Sequence, residues 1–95
     1  MKDGNVNEFL DKILYQEEAV MFHGQKYFFN PGYMENEKIY DLQIEIWDEH
    51  DQFIKQVFYS KSSTQNNNLN KFLESPIWDG KTFWQAESEM TWIDW

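Results

Sequence analysis

Residues 39–47 read IYDLQIEIW, and the reading of this stretch decides the fold. Its side chains alternate: Tyr40, Leu42, Ile44 and Ile46 fall on one side of an extended chain, and Asp41, Gln43, Glu45 and Trp47 fall on the other. A period of two with an apolar and a polar side predicts a half-buried strand. Towards the N-terminus, MENEK at 34–38 reads as a turn. Before it, AVMFHGQKYFF at 19–29 sets two β-favouring runs around His23-Gly24-Gln25, a hairpin in which Gly24 supplies a positive φ. The second arm continues through Asn30-Pro31-Gly32 to Tyr33, and Pro31, with no N–H for a ladder, predicts a bulge or an edge. Towards the C-terminus the polar loop DEHDQ leads to FIKQVFYS at 53–60, a fourth strand with apolar groups on both faces. Strands joined in this way predict an antiparallel four-stranded meander.

Helices flank the meander. Val6, Phe9, Leu10, Ile13 and Leu14 form one apolar helical stripe, and Asn5 with Glu8 offers a capping box, which predicts a helix over 6–15. KSSTQNNN at 61–68 reads as a polar connector rich in caps. Leu69, Phe72 and Leu73 then give a short helical face that stops before Pro76. Thr82 and Gln85 suggest a second capping box, and Phe83, Ala86, Met90 and Ile93 keep near-helical spacing, which predicts a third helix over 83–91. The expected class is α+β: one domain over 1–95, with one N-terminal helix and two C-terminal helices covering one face of the sheet.

Composition narrows the partners. The 95 residues contain no cysteine, so neither a disulfide nor a thiolate zinc site supplements the core, and a reducing compartment is the simpler assumption. The eight Phe, five Trp and five Tyr supply large rings for a small core. No apolar run is long enough to span a bilayer and Met1-Lys2-Asp3-Gly4 opens onto polar sequence, so a cytoplasmic location is expected. Seventeen acids face eight lysines with no arginine, a net charge of −9, which argues against direct binding to nucleic acid or an anionic membrane. A basic protein is the better electrostatic match.

Catalytic patterns are missing. There is no cysteine nucleophile, no serine in a nucleophile elbow, and only two histidines, His23 and His50, each in a turn. The glycines are isolated, which excludes a phosphate loop, and Asp48-Glu49-His50-Asp51 lacks the glycine and distal glutamate of a calcium loop. The sequence therefore predicts a non-enzymatic protein with no metal or cofactor.

What remains is the placement of acids and indoles. Asp41 and Glu45 set carboxylates along the polar side of the central strand, Asp48, Glu49 and Asp51 extend the line into the next turn, and Glu35 and Glu37 precede it. Alternate residues of a strand lie about 6.5 Å apart, so such a row can imitate a phosphate backbone, although the solvent face of any half-buried sheet is polar too. Trp47 shares that face and is expected to pack beneath the C-terminal tail. In SPIWDGKTFWQAESEMTWIDW, residues 75–95, the indoles outnumber what one helical stripe can bury. Trp92, Asp94 and Trp95 are the candidates for an exposed aromatic and acidic rim, unless the rings fold back over the sheet.

The segments FLDKIL, near the start, and SPIWDGKTFWQAESEMTWIDW, at the end, resemble stretches of small uncharacterised acidic proteins of Gram-positive bacteria and their phages. That resemblance implies no activity and no site residues. In size, acidity and α+β character the chain is also similar to anti-CRISPR proteins that mimic DNA. The leading expectation is an acidic inhibitor of a basic nucleic-acid-handling protein such as a CRISPR effector nuclease. An immunity or antitoxin-type protein that plugs a toxin comes second, and a carboxylate-based hydrolase third.

Overall fold

The turn at His23-Gly24 fixes the first pairing. Both residues have positive φ, 50° and 77°, the backbone of a two-residue turn whose twist matches that of the strands it joins. It connects β1 (Glu18–Phe22) to β2 (Gln25–Met34), with Phe22 opposite Gln25. The computed structural model describes residues 1–93. In it β2 pairs with β3 (Ile39–Trp47) and β3 with β4 (Phe53–Ser62), all antiparallel, so the meander is as expected. The β2–β3 register runs unbroken from Lys26 opposite Trp47 to Met34 opposite Ile39, and Pro31 makes no bulge. Pro31 lies beyond Phe29, where β1 stops, so that side of β2 is locally an edge. The irregularities fall in β4 instead. Ile44 faces Phe58 but Glu45 faces Gln56, and Ile46 faces Lys55 but Trp47 faces Phe53, which leaves Val57 and Ile54 as extra residues. Each extra residue shifts the alternation, and for that reason 53–60 carries apolar groups on both faces.

α1 (Val6–Lys12) is shorter than the stripe over 6–15. The Asn5 side chain accepts hydrogen bonds from the N–H groups of Asn7 and Glu8 at 2.9 and 3.0 Å, and the Glu8 carboxylate lies 3.2 Å from Lys12. Ile13 and Leu14 are buried all the same, because the chain turns tightly beyond Lys12. α2 (Gln65–Glu74) starts inside the expected connector: Thr64 Oγ1 accepts the Asn67 N–H at 3.3 Å, and Gln65 and Asn68 are buried.

The C-terminal segment corrects the sequence reading. In place of a helix over 83–91 there is a single turn, α3 (Phe83–Ala86), a 3₁₀ turn (Glu87–Glu89), and a fifth strand, β5 (Thr91–Ile93), antiparallel to β1. One turn suffices to bury Phe83 and Ala86. Met90 is buried and Trp92 half-buried at a spacing of two, which extended chain satisfies, and the backbone of 91–93 completes the open side of β1. The sheet order is β4-β3-β2-β1-β5. Lys2 binds the far side of β5, donating to Met90 O at 2.8 Å and accepting from the Trp92 N–H at 2.9 Å.

All three helices lie on one sheet face. Trp78, fully buried, is central there, with ring centroids 4.5 Å from Tyr27, 5.4 Å from Phe22 and 6.2 Å from Phe29. Phe9, Phe72 and Phe83 close the cluster above Leu42 and Ile44. No helix among the described residues is long and apolar enough to cross a membrane.

Candidate functional site

The opposite sheet face is built from the other parity of the same strands. Lys26 and Phe28 on β2, Asp41, Gln43, Glu45 and Trp47 on β3, and Gln56, Tyr59 and Lys61 on β4 point away from the helices, in the registers that pair Phe28 with Glu45, Lys26 with Trp47 and Asp41 with Lys61. Cross-strand contacts hold it in shape. Gln56 Nε2 donates to Gln43 Oε1 at 2.9 Å, and the Tyr59 hydroxyl donates to Asp41 Oδ2 at 3.2 Å. Desolvation and then the Asp41 carboxylate raise the Tyr59 pKa, so the phenol keeps its proton as a donor. Gly32 sits opposite Asp41, where an added Cβ would collide with that carboxylate.

Among the described residues, the rings beside Trp47 belong to the sheet and not to the tail. The indole lies 5.5 Å from Phe28 and 6.4 Å from Phe53, an aromatic cluster at the end of the face next to the 48–51 turn. Its carbonyl accepts from Gln25 Nε2 at 2.9 Å, while its buried Nε1 has no hydrogen-bond partner among the described residues. Beside it a hollow of about 260 Å³ is lined by Met21, Gln25, Lys26, Trp47, Asp48 and Glu49.

The candidate acids divide by what they already hold. Asp48 Oδ1 accepts the N–H groups of His50 and Gln52 at 2.8 and 2.9 Å and so forms its own turn. Asp51, at φ 57°, pairs with Lys26, and Asp41 takes the Tyr59 hydroxyl. Glu49 is exposed, 3.6 Å from the His50 ring. The side chains of Glu35, Glu37 and Glu45 have no hydrogen-bond or ion-pair partner among the described residues. Among those residues no group of three His, Cys, Asp or Glu side chains is arranged to hold a metal ion.

Of the C-terminal candidates, Trp92 stands apart from this face. Trp92 is half-buried: its Nε1 donates to Glu18 Oε1 at 2.7 Å, its ring meets Phe9 edge-on at 5.3 Å, and Lys12 Nζ lies 5.4 Å above it. Asp94 and Trp95 lie outside the described residues. Among the described residues the exposed indole is Trp84, at 52% exposure.

One cluster escaped the sequence reading. His23 Nδ1 lies 2.6 Å from Asp79 Oδ2 and Nε2 lies 2.9 Å from Glu89 Oε1, with Lys81 3.8 Å from the other oxygen of Glu89. The imidazole stacks on Phe22 at 3.9 Å. Hydrogen bonds from Glu89 first and Asp79 second raise the His23 pKa, and the bond to His23 lowers that of Glu89. Only the turn at His23 was visible in the sequence, since its partners are 56 and 66 residues away.

No family model, no curated protein and no solved structure matches the chain.

Proposed function

We propose that the protein is a non-enzymatic inhibitor that docks its helix-free sheet face on a basic, nucleic-acid-handling protein, of the CRISPR effector or restriction nuclease kind. The observation that carries this reading is one surface. Glu45, with no hydrogen-bond or ion-pair partner among the described residues, stands on β3 between Phe28 and Gln56, two positions from the Trp47 cluster, with Glu49 beyond it and Glu35 and Glu37 at the opposite turn. A rigid sheet can present such carboxylates to a lysine- or arginine-lined groove in place of phosphates, and the aromatic cluster supplies an apolar anchor. Lys26 and Lys61 interrupt the row, so charge spacing and the Trp47 anchor act together. Asp79 and Glu89 bond opposite nitrogens of the His23 ring and are thereby engaged, which favours binding over carboxylate hydrolysis.

The test is capture of the partner from host lysate at low salt with the native chain and with a Glu37→Lys, Glu45→Lys, Glu49→Lys variant. Glu37 and Glu45 have no hydrogen-bond or ion-pair partner among the described residues and Glu49 has only the exposed His50 ring at 3.6 Å, so the variant should fold, as circular dichroism would verify. The native chain should retain a basic nucleic-acid-binding protein, release it as salt rises, and compete with that protein's nucleic acid; the variant should retain none. Equal capture by both chains would end the reading. The Trp47–Phe28–Phe53 cluster also suits an immunity-type protein that plugs one toxin. That reading expects a small bound protein that persists through high salt and is lost on Trp47→Ala.

A further inference from the structure

A second surface lies on the helix side, at the end of the sheet where α2 begins. There Tyr33 and Tyr40 face each other across β2 and β3 with rings 4.6 Å apart, and Tyr15, just past α1, stands 76% exposed beside them. Two hollows of about 310 and 180 Å³ share Tyr15, Tyr40 and Gln65, and so form one trough running from Pro31 and Gly32 to Ser63 and Thr64. We propose that this trough is a binding site for an extended, proline-containing peptide with basic residues at one end.

Three features select that ligand. The first is composition: among the described residues no charged side chain lines the trough, in a chain with 25 charged residues, which suits an occupant uncharged along the contact. The second is hydrogen-bond inventory. The Gln65 amide at its floor is spent, Nε2 on Leu14 O and Asp41 O at 3.0 and 3.1 Å and Oε1 on Asn68 Nδ2 at 2.8 Å. The hydroxyls of Tyr15, Tyr33 and Tyr40 have no hydrogen-bond partner among the described residues, and Thr64 Oγ1, which accepts from Asn67, keeps a proton to donate. A trough of rings and hydroxyl donors suits a chain that offers carbonyl acceptors and little else. Proline has no N–H, and a polyproline helix is extended, solvates its carbonyls outward and loses little entropy on docking. A sugar, which presents a donor and an acceptor at every hydroxyl, would find the Gln65 amide already used and only the Asn66 amide left to serve it.

The third feature is charge at one end. The turn at 35–38 follows Tyr33 and precedes Tyr40, two residues from the tyrosine pair, and carries Glu35 and Glu37, both exposed and without an ion-pair partner among the described residues. Lysine or arginine next to the proline segment would meet them, which fixes the direction in which the peptide lies.

The proposal is tested by NMR titration of the ¹⁵N-labelled chain with a capped synthetic peptide of two Pro-x-x-Pro repeats and two arginines at one end. A proline-free scramble and a cello-oligosaccharide serve as alternative probes. Saturable shifts at residues 15, 33, 40 and 63–66, with a Kd on the order of 100 µM, are expected for the first probe only. Tyr15→Ala with Tyr33→Ala should weaken binding at least tenfold. Both rings are half or more exposed, and unchanged spectra elsewhere would show an intact fold. Glu35→Lys with Glu37→Lys should weaken it severalfold and flatten its salt dependence. No saturable shift, equal binding of the scramble, shifts at Gln43, Glu45 and Trp47 instead, or preference for the sugar would each overturn the assignment.

Discussion

At the scale of single residues, His23 joins three parts of the chain that are distant in sequence. Its ring rests on Phe22 and bridges the Asp79 turn and the 3₁₀ turn through Glu89, whose other oxygen faces Lys81. Because the folded pKa of His23 is raised, the bridge contributes fully below the ordinary histidine value, about 6.5, and its contribution is lost as pH rises through the raised value. Glu89 is lowered, so its share is present above about 4.5 and lost as pH falls through the lowered value. The bridge is therefore strongest between these limits. His23→Asn is the informative variant, because Asn-Gly keeps the positive-φ turn while removing the titrating ring. Thermal melts across pH 4 to 9 should show a stability advantage of the native chain that shrinks above neutrality and a flatter profile for the variant. Parallel profiles would assign no linkage to His23. The turn itself was legible, because Gly24 between two apolar runs has a local cause. The bridge was not, since nothing local ties His23 to Asp79 or Glu89.

At the scale of elements, legibility followed how local each cause was. β3 was plain because period-two alternation reports one buried face, and Leu42, Ile44 and Ile46 are indeed buried. The segment 61–68 read as a connector because asparagine and serine compete with helical hydrogen bonds, yet α2 begins at Gln65. Tertiary bonds override propensity there. Asn68, fully buried, donates to Tyr40 O at 3.2 Å and Gln65 Oε1 at 2.8 Å, and accepts from the Ser60 hydroxyl at 2.6 Å. Removing the amide strands these groups away from water, so Asn68→Ala should cost about 2–4 kcal/mol in denaturant unfolding. Asn70→Ala, on the exposed side of the same helix, should change stability by less than about 0.5 kcal/mol. Similar losses at both sites would mean that helix propensity, not the network, holds α2. β5 was misread for a related reason. Three residues are too few for a strand signal, and the backbone of β1 that recruits them lies about seventy positions earlier, as in Val20 opposite Trp92.

At the scale of the whole molecule, acidity connects the fold to its proposed use. The net charge of −9 was legible from composition, and alternation placed Asp41, Glu45 and Trp47 on one face. The sequence did not separate acids that hold the structure, Asp41, Asp48 and Asp51, from acids with no hydrogen-bond or ion-pair partner among the described residues, Glu35, Glu37 and Glu45, because that distinction depends on neighbours brought together by folding. Like charge on a compact body is repulsive, so unpaired acids weaken the fold by their presence. Two trends in opposite directions are therefore expected. Raising salt from about 20 to 500 mM should raise the midpoint of thermal unfolding by a few degrees, since the Debye length shrinks from about 20 Å to about 4 Å, while the exposed Glu8–Lys12 pair gives up little. The same salt should release a basic partner. Glu37→Lys, Glu45→Lys and Glu49→Lys together reverse three charges, and at low salt this variant should melt higher than the native chain while losing the partner. A variant that melts lower would place these side chains among the supports of the fold. One that melts higher and binds nothing would show acids kept at a cost to stability, which is how a surface under selection for binding behaves.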